Sequence, residues 1–298
     1  MNAVDAKPSA PRGDVRGWRK RLLTLRLALA ARVTRLLSFR EEPAFITGKL
    51  LGALCLVFVG IAWYLATLGE AEARLISPTI LPSPVEVAQS FGSLVTERAL
   101  VQSIAATLRR VLLGFLLSIA IGVPAGVIAG SWRSVQAFIA PLALFGRNLP
   151  IAALIPLTIV WFGIGESQKV MFIFIATVPF VFSDAAAAVI GIHPRYVETA
   201  QTLGAKPRQI VTKVLLPLAV PDIYTSLRHL FGLAFGYIML AELINAKHGL
   251  GYLLSMSQRR GLSEHIFLIL LLIGLLAFAI DRTLVWFQRG LFPYRKDI

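Results

Sequence analysis

Several stretches of this chain run for about 20 residues with almost no charge, and a helix of that length crosses the hydrocarbon core of a bilayer. Within lipid, backbone N–H and C=O groups must be satisfied internally, which a helix does within one segment. The pattern therefore selects an all-α, integral membrane protein. Of 298 residues, 56% are hydrophobic and 15% charged, against about 45–50% and about 25% in soluble domains. Six spans are expected, near 46–68, 104–130, 136–162, 169–191, 216–244 and 265–288. Pro150 and Pro156 interrupt the third. Between the first two, Ser83 is placed to cap a short amphipathic helix from Pro84 to Thr96.

The net charge of +14 would suggest nucleic acid in a soluble protein. Here the basic residues gather at the ends of apolar segments, which is the signature of membrane orientation. With the N-terminus inside, the cytoplasmic side receives eleven basic residues through Lys49, then Arg133, Arg195, Lys206, Arg208, Lys213, Arg289, Arg295 and Lys296. The outer side receives only Arg74, Arg98, Lys169, Lys247, Arg259 and Arg260. Both termini are thus expected in the cytoplasm. Residues 1–45 read as a basic tail followed by an interfacial amphipathic helix, with Trp18, Leu22, Leu25, Leu29, Val33 and Leu36 in one stripe ringed by arginines. A signal peptide is the competing reading, but Arg26 and Arg32 interrupt its apolar region. Residues 46–288 form the spanning domain and 289–298 a cytoplasmic tail.

In the second span, Gly114, Ser118, Gly122, Gly126 and Gly130 recur every fourth residue. Such a row lets two helix backbones approach closely in lipid; the spacing leaves open whether the partner is in this chain or in a second copy. The polar stretch 192–217 reads as a short helix, a turn at Gly204 and a second helical stretch ending near Pro217. Gly204 permits a backbone conformation that is costly for other residues, and Pro207 suits a helix's first turn. Ala200 and Ala205 are small enough for another surface to approach this backbone.

The stretch resembles the EAA motif of the membrane subunits of binding-protein-dependent ABC importers: Glu-Ala-Ala, three residues, Gly, nine residues, Ile, any residue, Leu-Pro. Glu198, Ala200, Gly204, Leu216 and Pro217 match in type and spacing, while Thr199 replaces Ala and Val214 replaces Ile. LPSPVEVAQS, TLRRVLLGF, PLTIVWFGIGE, LRHLFGLAFGYIMLAELI and HGLGYLL resemble the sulfonate, taurine, nitrate and bicarbonate branch, from which Asp184 and the basic GLGYLLSMSQRRG depart. The resemblance implies a type I importer permease in a bacterial inner membrane. It implies a coupling helix from Glu198 to about Lys213, docked into a cleft of a separate ATPase; Ala205 and Pro207 lie in the same segment. It further implies two ATP-binding subunits holding ATP and Mg, an external solute-binding protein, and a second permease copy, read as a homodimer.

No catalytic constellation stands out. GIGESQKV lacks the Gly before Lys169 and the Ser or Thr after it that a phosphate loop needs. His193, His229, His248 and His265 are scattered, and Cys55 is the single cysteine, so no metal site is expected. Arg228 lies twelve residues into the fifth span, about 18 Å along a helix, and Arg147 is similarly deep in the third. Each costs about 2.5–3.5 kcal/mol at a helix centre and needs protein, water or a counter-charge. Asp184 is one candidate partner, and pairing and solute contact are both open. Glu242 and Asp281 lie nearer span ends, within reach of water. These charges and the branch resemblance lead us to expect a pathway for a small anionic or zwitterionic solute, lined by Arg147, Asp184, Arg228 and Glu242. A transporter driven by an ion gradient, or a channel, is the alternative.

Overall fold

The computed structural model describes residues 45–69, 74, 76–244 and 246–295. The expected N-terminal amphipathic helix lies outside the described residues. All regular structure among the described residues is helical. The chain divides into two compact units, residues 1–65 and 66–298. The described part of the first, residues 45–65, belongs to α1 (Phe45–Ala66), whose 22 residues rise about 33 Å with Leu54, Leu56 and Phe58 exposed.

The second unit begins with α2 (Pro84–Thr96). Its start is the expected one: Ser83 Oγ accepts from the Glu86 N–H at 3.2 Å, and Glu86 Oε2 accepts from the Ser83 N–H at 2.7 Å. This reciprocal pair satisfies two otherwise orphaned donors. The spanning helices follow: α3 (Leu100–Ser131), α4 (Arg133–Asn148), α5 (Leu154–Phe162), α6 (Glu166–Ile190), α9 (Leu216–Glu242) and α11 (Ser263–Leu291). Five helices among the described residues are long and apolar enough to cross, and a sixth crossing requires α4 and the 151–162 segment to count as one. That pair bends by 91°. Leu149 and Pro150 are extended, because the residue before a proline avoids the α region and the proline donates no N–H.

The row of small residues on α3 packs against α6 of the same chain. A Cβ on Gly114 would stand 2.7 Å from the Val170 carbonyl oxygen, one on Gly126 2.5 Å from that of Phe182, and one on Gly130 2.7 Å from that of Ala186. Ser118 sits in the same row and hydrogen bonds Thr177 Oγ1 at 2.7 Å. The two backbones therefore touch along nearly their whole length, which only this row permits. Val127, Ala185 and Val189 then join Ile210, Leu215, Ala219 and Ile223 in an apolar core at one end of α3, α6 and α9.

The second helical stretch of the polar segment does not end near Pro217. Short α7 (Pro194–Thr202) and α8 (Pro207–Ile210) lead into a π-helical turn, Val211–Leu215, which continues directly into α9. The Leu216 N–H donates to the Val211 carbonyl, five residues back. The wider turn lets the chain pass Pro217, which has no N–H to give, without breaking the helix. Beyond α9 come α10 (Leu250–Arg259) and α11.

Gly126→Leu should destabilise the protein in detergent by about 1–3 kcal/mol, as overpacking does. Gly274→Ala, where a Cβ meets nothing within 4 Å, should be neutral or gain about 0.5–1 kcal/mol; thermal unfolding of both variants checks this. A second expectation concerns pH. The Arg74 hydrogen bond, then the Ser83 N–H, hold the Glu86 carboxyl below the usual carboxylate range. The carboxylate's contribution is therefore complete above the ordinary carboxylate pKa and drains away as pH falls through the lowered value. Amide exchange of residues 84–96 should show α2 loosening over that acid window, and Glu86→Gln, which keeps the cap but not the charge, should lack the transition.

Candidate functional site

Two constructions stand at opposite ends of the bundle, joined by α6 and α9. At one end projects the 194–215 segment. His193 caps α7 by accepting from the Arg195 N–H at 3.2 Å. The helix closes at Gly204, φ +78°, where the Ala205 N–H donates to the Ala200 carbonyl and the Gly204 N–H to that of Gln201, both at 2.9 Å. This left-handed cap is the usual reason for glycine at a helix end. Pro207 then opens α8, with Gln209 Oε1 accepting from the Lys206 N–H at 2.8 Å.

Glu198, Thr199, Gly204, Pro207 and Pro217 are exposed, whereas Ala200, Ala205, Val214 and Leu216 are half-buried against the core cluster behind the segment. The small side chains thus let the segment sit close on its own bundle. Leu203, 81% exposed, forms an apolar tip, with Tyr196 also bare. A cleft of 730 Å³ lies alongside, lined by Trp132, Arg133, Gln136, Glu198 and Gln201 among others. Leu203 was not among the residues singled out from the sequence; its place immediately before Gly204, at the turn, was the signal.

The other end is built around Arg110. Its guanidinium donates to Glu166 through Nε at 2.7 Å and Nη2 at 2.5 Å, and through Nη1 to Glu242 at 2.6 Å and to the His248 carbonyl at 2.7 Å. Thr107 Oγ1 lies 2.9 Å from both Glu242 oxygens and accepts the Leu250 N–H at 3.0 Å, while the Gly251 N–H donates to Glu242 Oε2 at 3.0 Å. Arg110 and Glu242 are 3% and 0% exposed, and Glu166 57%. Lys169, also buried, donates to the Gly165 carbonyl at 3.2 Å. Glu242 does not reach water as its place near a span end suggests. The segment after α9 folds back as α10 and covers it, with Gly249 (φ +141°) and Gly251 pressed against its side chain. Arg110 and Thr107 escape a search for mid-span charges, because they lie near the start of α3. The legible signal was an apolar helix start carrying Arg110 opposite two apolar helix ends carrying Glu166 and Glu242.

Between these ends lie the remaining expected residues. Arg147 Nη1 stands 4.0 Å from Asp184 Oδ1, the two side chains 41% and 31% exposed, with the guanidinium 5.1 Å over the Phe180 ring. Arg228 pairs with Asp281, not Asp184, at 3.4 Å, and donates to Gln288 Oε1 at 3.3 Å. Its Nη2 lies 3.2 Å from the neighbouring His229 Nε2. His229, exposed, is within electrostatic reach of Asp184.

Comparison with known proteins bears on this geometry. The family described as binding-protein-dependent transport system inner membrane component matches residues 122–293. A probable ABC transporter permease protein of Brucella abortus (strain 2308) is 37% identical over 80% of this chain and 93% of its own length. The taurine transport system permease protein of Escherichia coli (strain K12) is 31% identical over 81% of this chain and 88% of its own. Among solved structures, an inward-facing methionine ABC transporter shares the fold with a TM-score of 0.60 at 23% identity, over 65% of this chain and 98% of that one.

Removing one partner of a buried ion pair strands the other charge and costs about 3–5 kcal/mol, so Arg110→Gln and Glu242→Gln should each lower stability by that order. Glu166→Gln, at an exposed partner, should cost about 1 kcal/mol or less. Denaturant unfolding in detergent ranks the three, and amide exchange should show residues 250–259 released in the first two only.

Proposed function

The chain belongs to the binding-protein-dependent transport system inner membrane component family, and we propose that it forms the translocation pathway of an ATP-driven importer and receives force from a separate ATPase through residues 194–215. It is a multi-pass inner-membrane permease subunit of an ABC importer, a transport component rather than an enzyme. The family brings an ATPase and a solute-binding protein as partners. ATP and Mg belong to the ATPase. On our reading two ATPases meet two copies of this chain, and both termini face the cytoplasm.

The observation that carries the reading is the projecting segment itself. Glu198, Gly204 and Pro207 are exposed on it, Leu203 offers an apolar tip, and the π-turn continues it into α9 without a break. A push on α7 and α8 therefore reaches a spanning helix through rigid backbone, as alternating access requires. A channel or an ion-gradient transporter has no use for such a segment, and an ionophore that collapses the gradient should leave uptake driven by ATP intact.

For the solute we favour a small anion or zwitterion. Relatives named for taurine, aliphatic sulfonates and bicarbonate support this, as do Arg147 and Arg228 at depth in the bundle. Arg147, Asp184 and Arg228 would line the pathway, and Glu242 would brace its far end.

Leu203→Asp tests the coupling assignment without disturbing the fold, since the side chain is almost wholly exposed. With the partner ATPase and solute-binding protein in proteoliposomes, ATP-driven uptake should fall at least about tenfold, as loss of an apolar anchor does, while insertion and thermal stability stay normal. Gly204→Asp, which forces a side chain onto φ +78°, should act in the same direction. Normal uptake in both variants would contradict the assignment.

A further inference from the structure

The ion pairs of the bundle differ in quality. Arg110 is locked by four short hydrogen bonds to Glu166, Glu242 and the His248 carbonyl, none longer than 2.7 Å. Arg147 and Asp184, by contrast, meet at 4.0 Å through one atom each, and both remain partly exposed. Charges deep in a membrane bundle face protein or water rather than lipid. Asp184 stands eighteen residues from the start of α6 and six from its end, well inside the apolar length of the helix. A loose, exposed, unfinished pair at that depth marks a wetted wall.

Its chemistry is specific. Arg147 Cζ lies 5.1 Å over the Phe180 ring, a cation–π contact that holds the guanidinium in place and still lets its N–H groups meet an oxyanion. Asp184 lies beside those groups, so a simple anion that reaches Arg147 comes under the repulsion of the carboxylate. A simple cation at Asp184 meets the guanidinium in the same way. A solute with both charges on a short spacer replaces each member of the pair with a better partner. The same balance extends across α9 and α11, where Arg228 stands against Asp281.

Resting on the importer reading above, we propose that Arg147 and Asp184 form a solute-contact site selective for zwitterions, with the oxyanion on Arg147 and the ammonium group on Asp184. Pathway selectivity then comes from rejecting each half-charged competitor. Ser183 is the reporter, because it neighbours Asp184 and lines a 530 Å³ cavity shared with Arg147.

The test uses the complete transporter in membranes, with Cys55→Ser removing the one native thiol and Ser183→Cys adding one. A charged thiosulfonate reagent, which reacts only through water, should label Cys-substituted position 183. 2-Aminoethanesulfonate should slow the labelling about tenfold more than ethanesulfonate does, the worth of one charge-assisted contact. Asp184→Asn should erase that preference, and Arg147→Gln should erase protection by either compound. The exchanged pair, Arg147→Asp with Asp184→Arg, keeps the charges together and should restore the preference if the single variants fail to assemble. No aqueous labelling, equal protection by the two sulfonates, or a preference that survives Asp184→Asn each overturns the proposal. ATP-driven uptake measured on the same membranes separates the two levels: uptake without selective protection sinks the site alone, whereas no ATP-driven uptake sinks the reading beneath it.

Discussion

A guanidinium enclosed by apolar helices must be neutralised where it lies, because no water reaches it. Arg110 meets that demand with Glu166 and Glu242 and so binds the start of α3, the start of α6 and the end of α9 into one knot. Glu242 in turn faces three donors, Arg110, the Thr107 hydroxyl and the Gly251 N–H. The last of these, with the Leu250 N–H on Thr107, fastens α10 over the knot. Stranding buried Arg110 or Glu242 is expensive, so this end of the helices moves as a body or not at all.

The opposite end is held differently. There the α3–α6 contact of small residues runs into an apolar cluster from Val127 to Ile223, and the 194–215 segment rests on it. Apolar contacts are non-directional, and they tolerate small rotations that a hydrogen-bonded charge knot does not. A bundle pinned by charge at one end and by packing at the other can pivot about the pinned end when the projecting segment is pushed. The loose Arg147–Asp184 pair lies between, on helices that such a pivot would shift against each other, and Arg147 stands at the end of α4, where the chain bends by 91° into the 151–162 segment.

Much of this was legible in the sequence. Apolar runs located five spans to within a few residues, whereas the third, expected over 136–162, is broken by a 91° bend; the Ser83 cap located α2, and the four-residue glycine period foretold the close α3 contact. The period named no partner, since a Gly row states only how near a helix will come, and the structure supplies α6. The spacing Glu198–Gly204–Pro217 marked the projecting segment, but not its continuity with α9: a proline argues for a helix end unless a π-turn absorbs it, and nothing in residue type announces that turn. Glu242 was misplaced for a related reason. Its position near a span end implied water, and only the fold-back of α10 buries it. Arg110 was overlooked because its partners lie 56 and 132 residues away, a separation that no local pattern spans.

The central claim is that force enters through the tip of the 194–215 segment. It is tested most directly by placing a cysteine at Leu203, in a Cys55→Ser background, and cross-linking it to cysteines around the docking cleft of the partner ATPase in assembled transporter. The account predicts a cross-link at high yield that arrests ATP-driven uptake and is reversed by reduction. Uptake that proceeds at full rate with no cross-link at any cleft position would contradict it.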